Sequence, residues 1–202
     1  MPDLTYENEY RAKGYSRICG IDEAGRGPLA GNVVAAAVIL PDGFMPKGLD
    51  DSKKLTPKKR EALYEKITKN AVWATGEATP AEIDELNILN ATMLAMNRAV
   101  AALPGGADFA LIDGNCSRGF PIPTKTIVGG DGKSLSVAAA SIIAKVTRDR
   151  ECIELDKKYP EYGFAKHKGY PTREHMEKVI EIGPCPEHRK SFLSFAEHHE
   201  EE

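Results

Sequence analysis

The sequence predicts an α/β domain: a mixed five-stranded sheet flanked by helices, with a helical C-terminal extension. Three observations carry this. Five short apolar or β-branched runs stand at 18–21, 33–40, 71–76, 109–114 and 124–128. Stretches with apolar residues three and four apart separate the later runs. A short Gly/Pro-rich connection joins the first two, as in a hairpin. An early hairpin followed by crossover helices puts antiparallel and parallel pairs into one sheet.

Taken in order, residues 1–17 are polar and mixed, which suits a short helix or arm packed on the domain. Ile18-Cys19-Gly20-Ile21 is a strand that runs straight into Asp22-Glu23 and the turn Gly25-Arg26-Gly27. The run 33–40 is closed by Pro41-Asp42-Gly43. Thr56-Pro57 starts a helix with proline at its first position, and Leu63 and Ile67 give it an apolar stripe to about residue 70. After the strand at 71–76, Pro80 begins one helical region in which Leu86, Leu89, Met93, Met96 and Val100 recur until Pro104-Gly105-Gly106 stops it. These methionines are core residues at helical spacing. Phe109–Gly114 is a buried strand ending in an acid and a glycine. The strand at 124–128 leads through Gly129-Gly130-Asp131-Gly132 into a long helix over 133–158, whose Ala138, Ala140, Ser141 and Ala144 suit close packing on a sheet. Residues 159–202 form the helical extension, with a frayed tail at 198–202.

At 202 residues, 42% hydrophobic and 28% charged, the chain has material for one full core and an appended piece. No apolar run approaches the roughly 20 residues that span a bilayer. Met1-Pro2-Asp3-Leu4-Thr5 lacks a basic-then-apolar signal pattern, so a cytoplasmic protein without a membrane segment is expected. Cys19, Cys116, Cys152 and Cys185 form no Cys-x-x-Cys pair and support neither a zinc knuckle nor a redox motif. The net charge of −3 excludes a broadly basic nucleic-acid binder. Residues 51–70 nevertheless carry seven Lys/Arg against three Asp/Glu, and residues 77–90 carry four acids and no base. That contrast fits a local phosphate-facing patch or two solvated helix faces.

The informative feature is where the carboxylates fall. Asp22 and Asp113 both sit where an apolar strand meets glycine, and Asp131 follows a third strand. Strand ends of an α/β sheet converge on one crevice. Adjacent Asp22 and Glu23 point to opposite faces of a continuing strand, so both reach one site only where the strand bends into the Gly-rich turn. Crowded carboxylates need raised pKa values or a cation between them, and hard oxygens favour Mg²⁺ or Mn²⁺. Asp22, Glu23, Asp113 and Asp131 could hold two such ions about 4 Å apart, the arrangement that activates water in phosphodiester hydrolysis. Two competing motifs fail. Gly25-x-Gly27-x-x-Ala30 mimics a dinucleotide fingerprint, but the next segment is β-branched and the acids would face a pyrophosphate. Gly132-Lys133-Ser134 mimics a phosphate loop, but Ile127 stands where its first glycine is required.

The chain resembles the type 2 ribonuclease H family, ribonuclease HII. The resemblance is carried by Gly20–Gly31, by Asp51-Ser52-Lys53-Lys54-Leu55, by Ile112-Asp113-Gly114, by the run 138–149 and by His167-Lys168-Gly169-Tyr170-Pro171-Thr172. It implies a ribonuclease H-like catalytic domain over 1–158 and an extension of the same domain over 159–202. It implies an endonuclease that cuts the RNA strand of RNA–DNA hybrids and also cuts 5′ of a lone ribonucleotide in duplex DNA, leaving 5′-phosphate and 3′-hydroxyl ends. Asp22, Glu23, Asp113 and Asp131 become the metal-binding acids. Gly25, Arg26 and Gly27 become the turn that meets the ribose 2′-OH, Tyr170 the aromatic on the adjacent deoxyribose, and Lys53 and Lys54 the phosphate contacts. Lys145, His167 and His188 are left without a role. The expected partners are RNA–DNA hybrid and ribonucleotide-containing duplex DNA, with a replication clamp as a further candidate; the expected state is a monomer. A non-catalytic hybrid-binding module and a nicotinamide-dependent oxidoreductase are the alternatives from other classes. The type 3 enzyme is disfavoured for want of room for an N-terminal substrate domain.

Overall fold

Five strands, β1 (Ile18–Ala24), β2 (Val33–Ile39), β3 (Val72–Ala78), β4 (Phe109–Asp113) and β5 (Thr124–Ile127), form one sheet in the order β3-β2-β1-β4-β5. The first three are antiparallel neighbours, whereas β4 runs parallel to β1 and β5 parallel to β4. The mixed sheet therefore follows from the hairpin and the crossovers. This computed structural model describes residues 1–197, so the tail at 198–202 lies outside the described residues.

Helix α2 (Pro57–Asn70) begins as its sequence directs: Pro57 needs no N–H partner, and Thr56 Oγ1 accepts from the Lys59 N–H at 3.4 Å. It packs beside α5 (Leu135–Lys158), the long helix that covers one face of the sheet. A Cβ on Gly20 would lie 2.1 Å from the Ser136 carbonyl carbon, so α5 rests directly on β1 only because that position has no side chain. The alanines of α5 are buried for the same reason.

The helical region from Pro80 differs from expectation. It splits into α3 (Pro80–Leu86) and α4 (Ile88–Ala101), because Asn87 takes φ +67° and ψ 162°, outside the helical basin. Its side chain accepts from the Asn90 N–H at 3.1 Å and caps α4. The apolar spacing passes through the break unchanged, which is why periodicity could not reveal it. Helix α4 covers the other face, with Ala91, Ala95, Met96 and Ala99 buried against β1, β2 and β3. The methionines are core, as expected.

The N-terminal arm is α1 (Thr5–Ala12), anchored by one buried acid. Glu7 Oε1 accepts from Ser134 Oγ at 2.7 Å and from the Ser136 N–H at 2.9 Å, fixing the start of α5. Beyond Lys158 the chain runs through α6 (Phe164–His167), α7 (Arg173–Ile182) and α8 (Ser194–Glu197). They enclose a small core of Tyr162, Phe164, Val179, Cys185 and Leu193, completed by Leu29 and Ala30 from the loop after β1. Among the described residues, no helix is long and apolar enough to cross a membrane.

Candidate active site

Register explains how two acids far apart in sequence meet. The last β1–β4 pair is Ile21 opposite Ile112. In a parallel ladder the next residues, Asp22 and Asp113, leave the sheet side by side on the same face, towards α5. β1 does not bend after Ile21 but stays paired with β2 through Ala24. Glu23 therefore points to the opposite face. It still joins the site, because past the last β1–β4 pair the sheet margin is open and both faces reach one cleft. That cleft, about 420 Å³, is lined by Asp22, Glu23, Ala24, Gly25, Arg26, Gly27, Ser52, Lys53, Asp113, Lys145 and Tyr170. Asp131 does not line this cleft; it stands on the short turn after β5, close to Asp51 and Asp113.

The acids are held by backbone donors. Glu23 N–H donates to Asp22 Oδ1 at 2.7 Å, and Gly130 N–H donates to Asp113 Oδ1 at 2.6 Å. Burial, followed by the charges of Glu23 and Asp113, holds the Asp22 carboxyl well above the ordinary carboxylate range. Burial raises Glu23 as well, opposed by Arg26, whose Nη1 lies 3.4 Å from Glu23 Oε1. Asp131 is raised by burial, by Asp51 and by Asp113, against Lys53. Burial works against the charge on Lys53, yet Asp22, Asp51, Asp131 and Asp113 together push its pKa up.

This donor set suits a hard divalent cation. Its oxygens are carboxylates, they stand in mutual repulsion, and the nearest cationic groups, Lys53 and Arg26, leave the cluster with an excess of acid. As the side chains stand, no three acidic, imidazole or thiol groups among the described residues are close enough to enclose an ion. Mg²⁺ needs only one or two carboxylates and fills its remaining positions with water, so two of these acids suffice for it.

The wall opposite the acids is built from two turns in contact. Gly25 takes φ +97°, and a Cβ there would lie 2.1 Å from Arg148 Nε, so no other residue fits. The Tyr170 ring lies over Gly27, where an added Cβ would come within 3.5 Å of it. Tyr170 is 43% exposed, an aromatic face presented to the cleft. Below these turns lie two buried arginines with carbonyl partners. Arg189 donates to the carbonyls of Gly25 at 2.6 Å, Arg26 at 3.1 Å, Pro28 at 2.8 Å and Gly31 at 2.8 Å. Arg148 donates to Ala30, Asn32 and Lys168. Burial brings the Arg189 pKa down to about 9.

Of the residues singled out by sequence, Asp22, Glu23, Asp113, Gly25, Arg26, Gly27, Lys53 and Tyr170 line one cleft. Lys54 does not line it: the side chain is 62% exposed and pairs with Asp50 at 3.3 Å. Sequence alone assigns no site role to Asp51, Ser52 or Arg189, and for Arg148 its helical spacing with Lys145 and Asp149 fits a charge cluster or a phosphate contact, whereas the structure buries it against carbonyls. Asp51 adjoins Ser52-Lys53, but an acid in a basic stretch looks like a solvated partner until Asp131 is folded against it. The acidic stretch 77–90 is structural: Glu82 pairs with Arg98 at 2.7 Å, and Asp84 accepts from the Lys190 and Ser191 N–H groups.

A mixed sheet with α-helices on both faces, and acids converging at the carboxyl ends of its central parallel strands, defines a hydrolase of the ribonuclease H type. The model of the family Ribonuclease HII matches residues 19–195. A ribonuclease HII from Ruegeria sp. (strain TM1040) is 52% identical over 192 residues, covering 95% of this chain and 84% of that protein. The crystal structure of ribonuclease H2 from Pyrococcus horikoshii OT3 aligns with TM-score 0.71 at 29% identity, covering 92% of this chain and 98% of that one. The ribonuclease HII of Archaeoglobus fulgidus, solved in complex with PCNA, aligns with TM-score 0.72 at 28% identity, covering 87% and 94%. The chain belongs to the ribonuclease HII family, the type 2 ribonucleases H, endoribonucleases that cleave the RNA of RNA–DNA hybrids.

Proposed function

We propose that this chain hydrolyses the RNA strand of RNA–DNA hybrids and cuts on the 5′ side of single ribonucleotides embedded in duplex DNA, leaving 5′-phosphate and 3′-hydroxyl ends. The observation that carries this is that Asp22 and Asp113 follow the last β1–β4 pair side by side at one sheet margin, across a cleft from a glycine turn capped by an exposed tyrosine ring. Asp22, Glu23, Asp113 and Asp131 would hold divalent metal, Mg²⁺ or Mn²⁺. When bound, such ions lower the pKa of water and offset charge at the phosphodiester. Lys53 gives the phosphate a positive contact beside the acids, positioning the backbone without reading sequence. The Gly25-Arg26-Gly27 backbone can approach a 2′-hydroxyl closely, and that group is what separates RNA from DNA. The Tyr170 ring supplies a flat apolar face for the neighbouring sugar.

Residues 1–158 would then form the catalytic domain and 159–202 an extension of it, acting as a monomer in the cytoplasm. A replication-clamp contact is supported by the Archaeoglobus relative's complex. The test is cleavage of labelled duplex DNA containing one ribonucleotide, with Mg²⁺, Mn²⁺ or EDTA, by the native protein and by Asp113→Asn. Metal-dependent cutting 5′ of the ribonucleotide, lost in the variant, is the expected result. Tight binding without cutting in either metal would overturn the enzyme and leave a hybrid-binding module.

A further inference from the structure

The two turns that wall the cleft rest on one dipeptide of the C-terminal segment. Glu187–Arg189 runs beside Leu29–Gly31, with the Gly31 N–H donating to the Glu187 carbonyl at 2.9 Å and the Arg189 N–H to the Leu29 carbonyl at 2.8 Å. Consecutive side chains of such a segment diverge. Arg189 passes under the Gly25–Gly31 turn, and His188 passes under the turn that carries Tyr170.

His188 is 3% exposed and His175 is completely buried. His188 Nε2 lies 3.0 Å from His175 Nε2, and His175 Nδ1 lies 2.9 Å from the Tyr170 carbonyl oxygen. The proton on each ring follows from these partners. A carbonyl only accepts, so His175 carries its proton on Nδ1 and presents a lone pair at Nε2. The facing nitrogen of His188 must then be the donor, which leaves His188 Nδ1 to accept from the Cys185 N–H at 3.0 Å. His167 stacks on His175 with ring centroids 4.3 Å apart, accepts from the Gly169 N–H at 3.1 Å and donates to the Tyr162 carbonyl at 2.7 Å. Every ring nitrogen is used, and the donors point one way, from Cys185 to Tyr170.

We propose that His188, acting through His175, is a positioning residue that aims Tyr170 at the sugar, so that the C-terminal segment sets both turns of the substrate wall; this rests on Tyr170 being the sugar contact of the function proposed above. The Tyr170 ring has nearly half its surface exposed, so packing alone does not fix it. Its direction is set by its own backbone, and the only side chain that bonds to its carbonyl among the described residues is His175. Thr172 N–H also reaches that carbonyl at 2.8 Å, which closes the turn without tying it to the C-terminal segment.

Two variants of one residue separate aiming from mere support. In His188→Gln the amide nitrogen reaches about as far as imidazole Nε2 and keeps the donor to His175. In His188→Asn the amide oxygen reaches about as far as Nδ1 and keeps the acceptor for Cys185, but the link to His175 is lost. Each loses one buried hydrogen bond, so their unfolding midpoints should fall alike. On duplex DNA with one ribonucleotide, His188→Asn should lose about tenfold or more in kcat/KM and His188→Gln should stay within about twofold of the native protein. In a Tyr170→Ala background His188→Asn should cost nothing further. Equal losses in the two variants, or a loss that persists without Tyr170, would overturn the inference. Native protein that does not cut this substrate would instead overturn the function on which it rests. Should neither variant fold, nitrogen-detected imidazole NMR of the native protein decides the matter: a proton on Nδ1 of His175 and on Nε2 of His188 supports the chain, and the opposite tautomer of either breaks it.

Discussion

Two buried polar regions of this molecule, close together in space, are built on opposite principles. At the margin of β1 and β4, acids are crowded with few cations to balance them, and burial pushes Asp22, Glu23 and Asp131 up in pKa. Under the neighbouring turns, Arg189 and Arg148 find carbonyl oxygens for their buried N–H groups, and the three histidines pair off completely. A polar group that is buried and satisfied contributes rigidity, whereas charges that are buried and left repelling one another cost stability and persist where something external completes them. On the function proposed above, the contrast separates the acids assigned to the reaction from the groups that hold the neighbouring turns still.

The contrast is broken most directly at Asp113. Asp113→Asn should lower cleavage by on the order of 10³-fold, since it removes a charge to which metal binding is assigned in the proposed function, while leaving the fold intact. Asp22→Asn should likewise abolish cutting and raise the unfolding midpoint at neutral pH. The sign follows from Asp22 itself: its folded pKa is raised, so its contribution is full below the unfolded value near 3.8 and is lost as pH rises through the folded one. Urea unfolding of the native protein and this variant at two pH values checks it.

The satisfied region should respond in the opposite sense. Arg189→Met strips donors from the carbonyls of Gly25, Arg26, Pro28 and Gly31 together, and should cost about 3 kcal/mol or more of stability as well as activity. Tyr170→Ala should leave stability nearly unchanged and cost about 10- to 100-fold in kcat/KM, with Tyr170→Phe close to native, because the proposed sugar contact is made by the flat face of the ring. A large stability loss at Tyr170 would make it part of the support.

The smallest expected effect comes from a third acidic place away from the cleft. Glu151 is raised to about 8 by burial and by Glu77, with Asn32 Nδ2 donating to Glu77 at 2.9 Å and reaching Glu151 at 3.5 Å. The folded state keeps a proton that the unfolded chain releases near 4.5, so stability falls as pH rises from about 4.5 towards 8. Glu151→Gln should remove that slope and gain on the order of 1 kcal/mol at pH 8 without changing cleavage. His188 pulls the other way. Burial and His175 bring its pKa down to about 4, so the stability it contributes is complete above the unfolded value of 6.5 and lost as pH falls towards 4.

Much of the fold was legible in the chain. The five strands lie within a few residues of their apolar runs, because alternation and turn residues act locally. Thr56-Pro57 started a helix where it stood, for reasons confined to a single turn. The break at Asn87 was not legible, since a side-chain cap replaces helical bonds without disturbing the apolar spacing. Nor was the fate of Lys54: two adjacent lysines look alike until one is turned towards the acids and the other towards Asp50.

Sequence by itself marked the residues to which the proposed chemistry is assigned, because a carboxylate at the end of an apolar strand and a glycine turn beside it are local facts. It also determined the family, through ungapped runs spread over most of the chain. Tertiary structure alone decided what holds those residues in place. Gly25 to Arg148 spans more than half of the chain, and Tyr170 to His188 through His175 and Asp113 to Gly130 join separate elements of the fold. Arginine and histidine carry no local sign of whether they will be buried. A buried donor has to find an acceptor, and which acceptor is within reach is settled only when the distant segments pack.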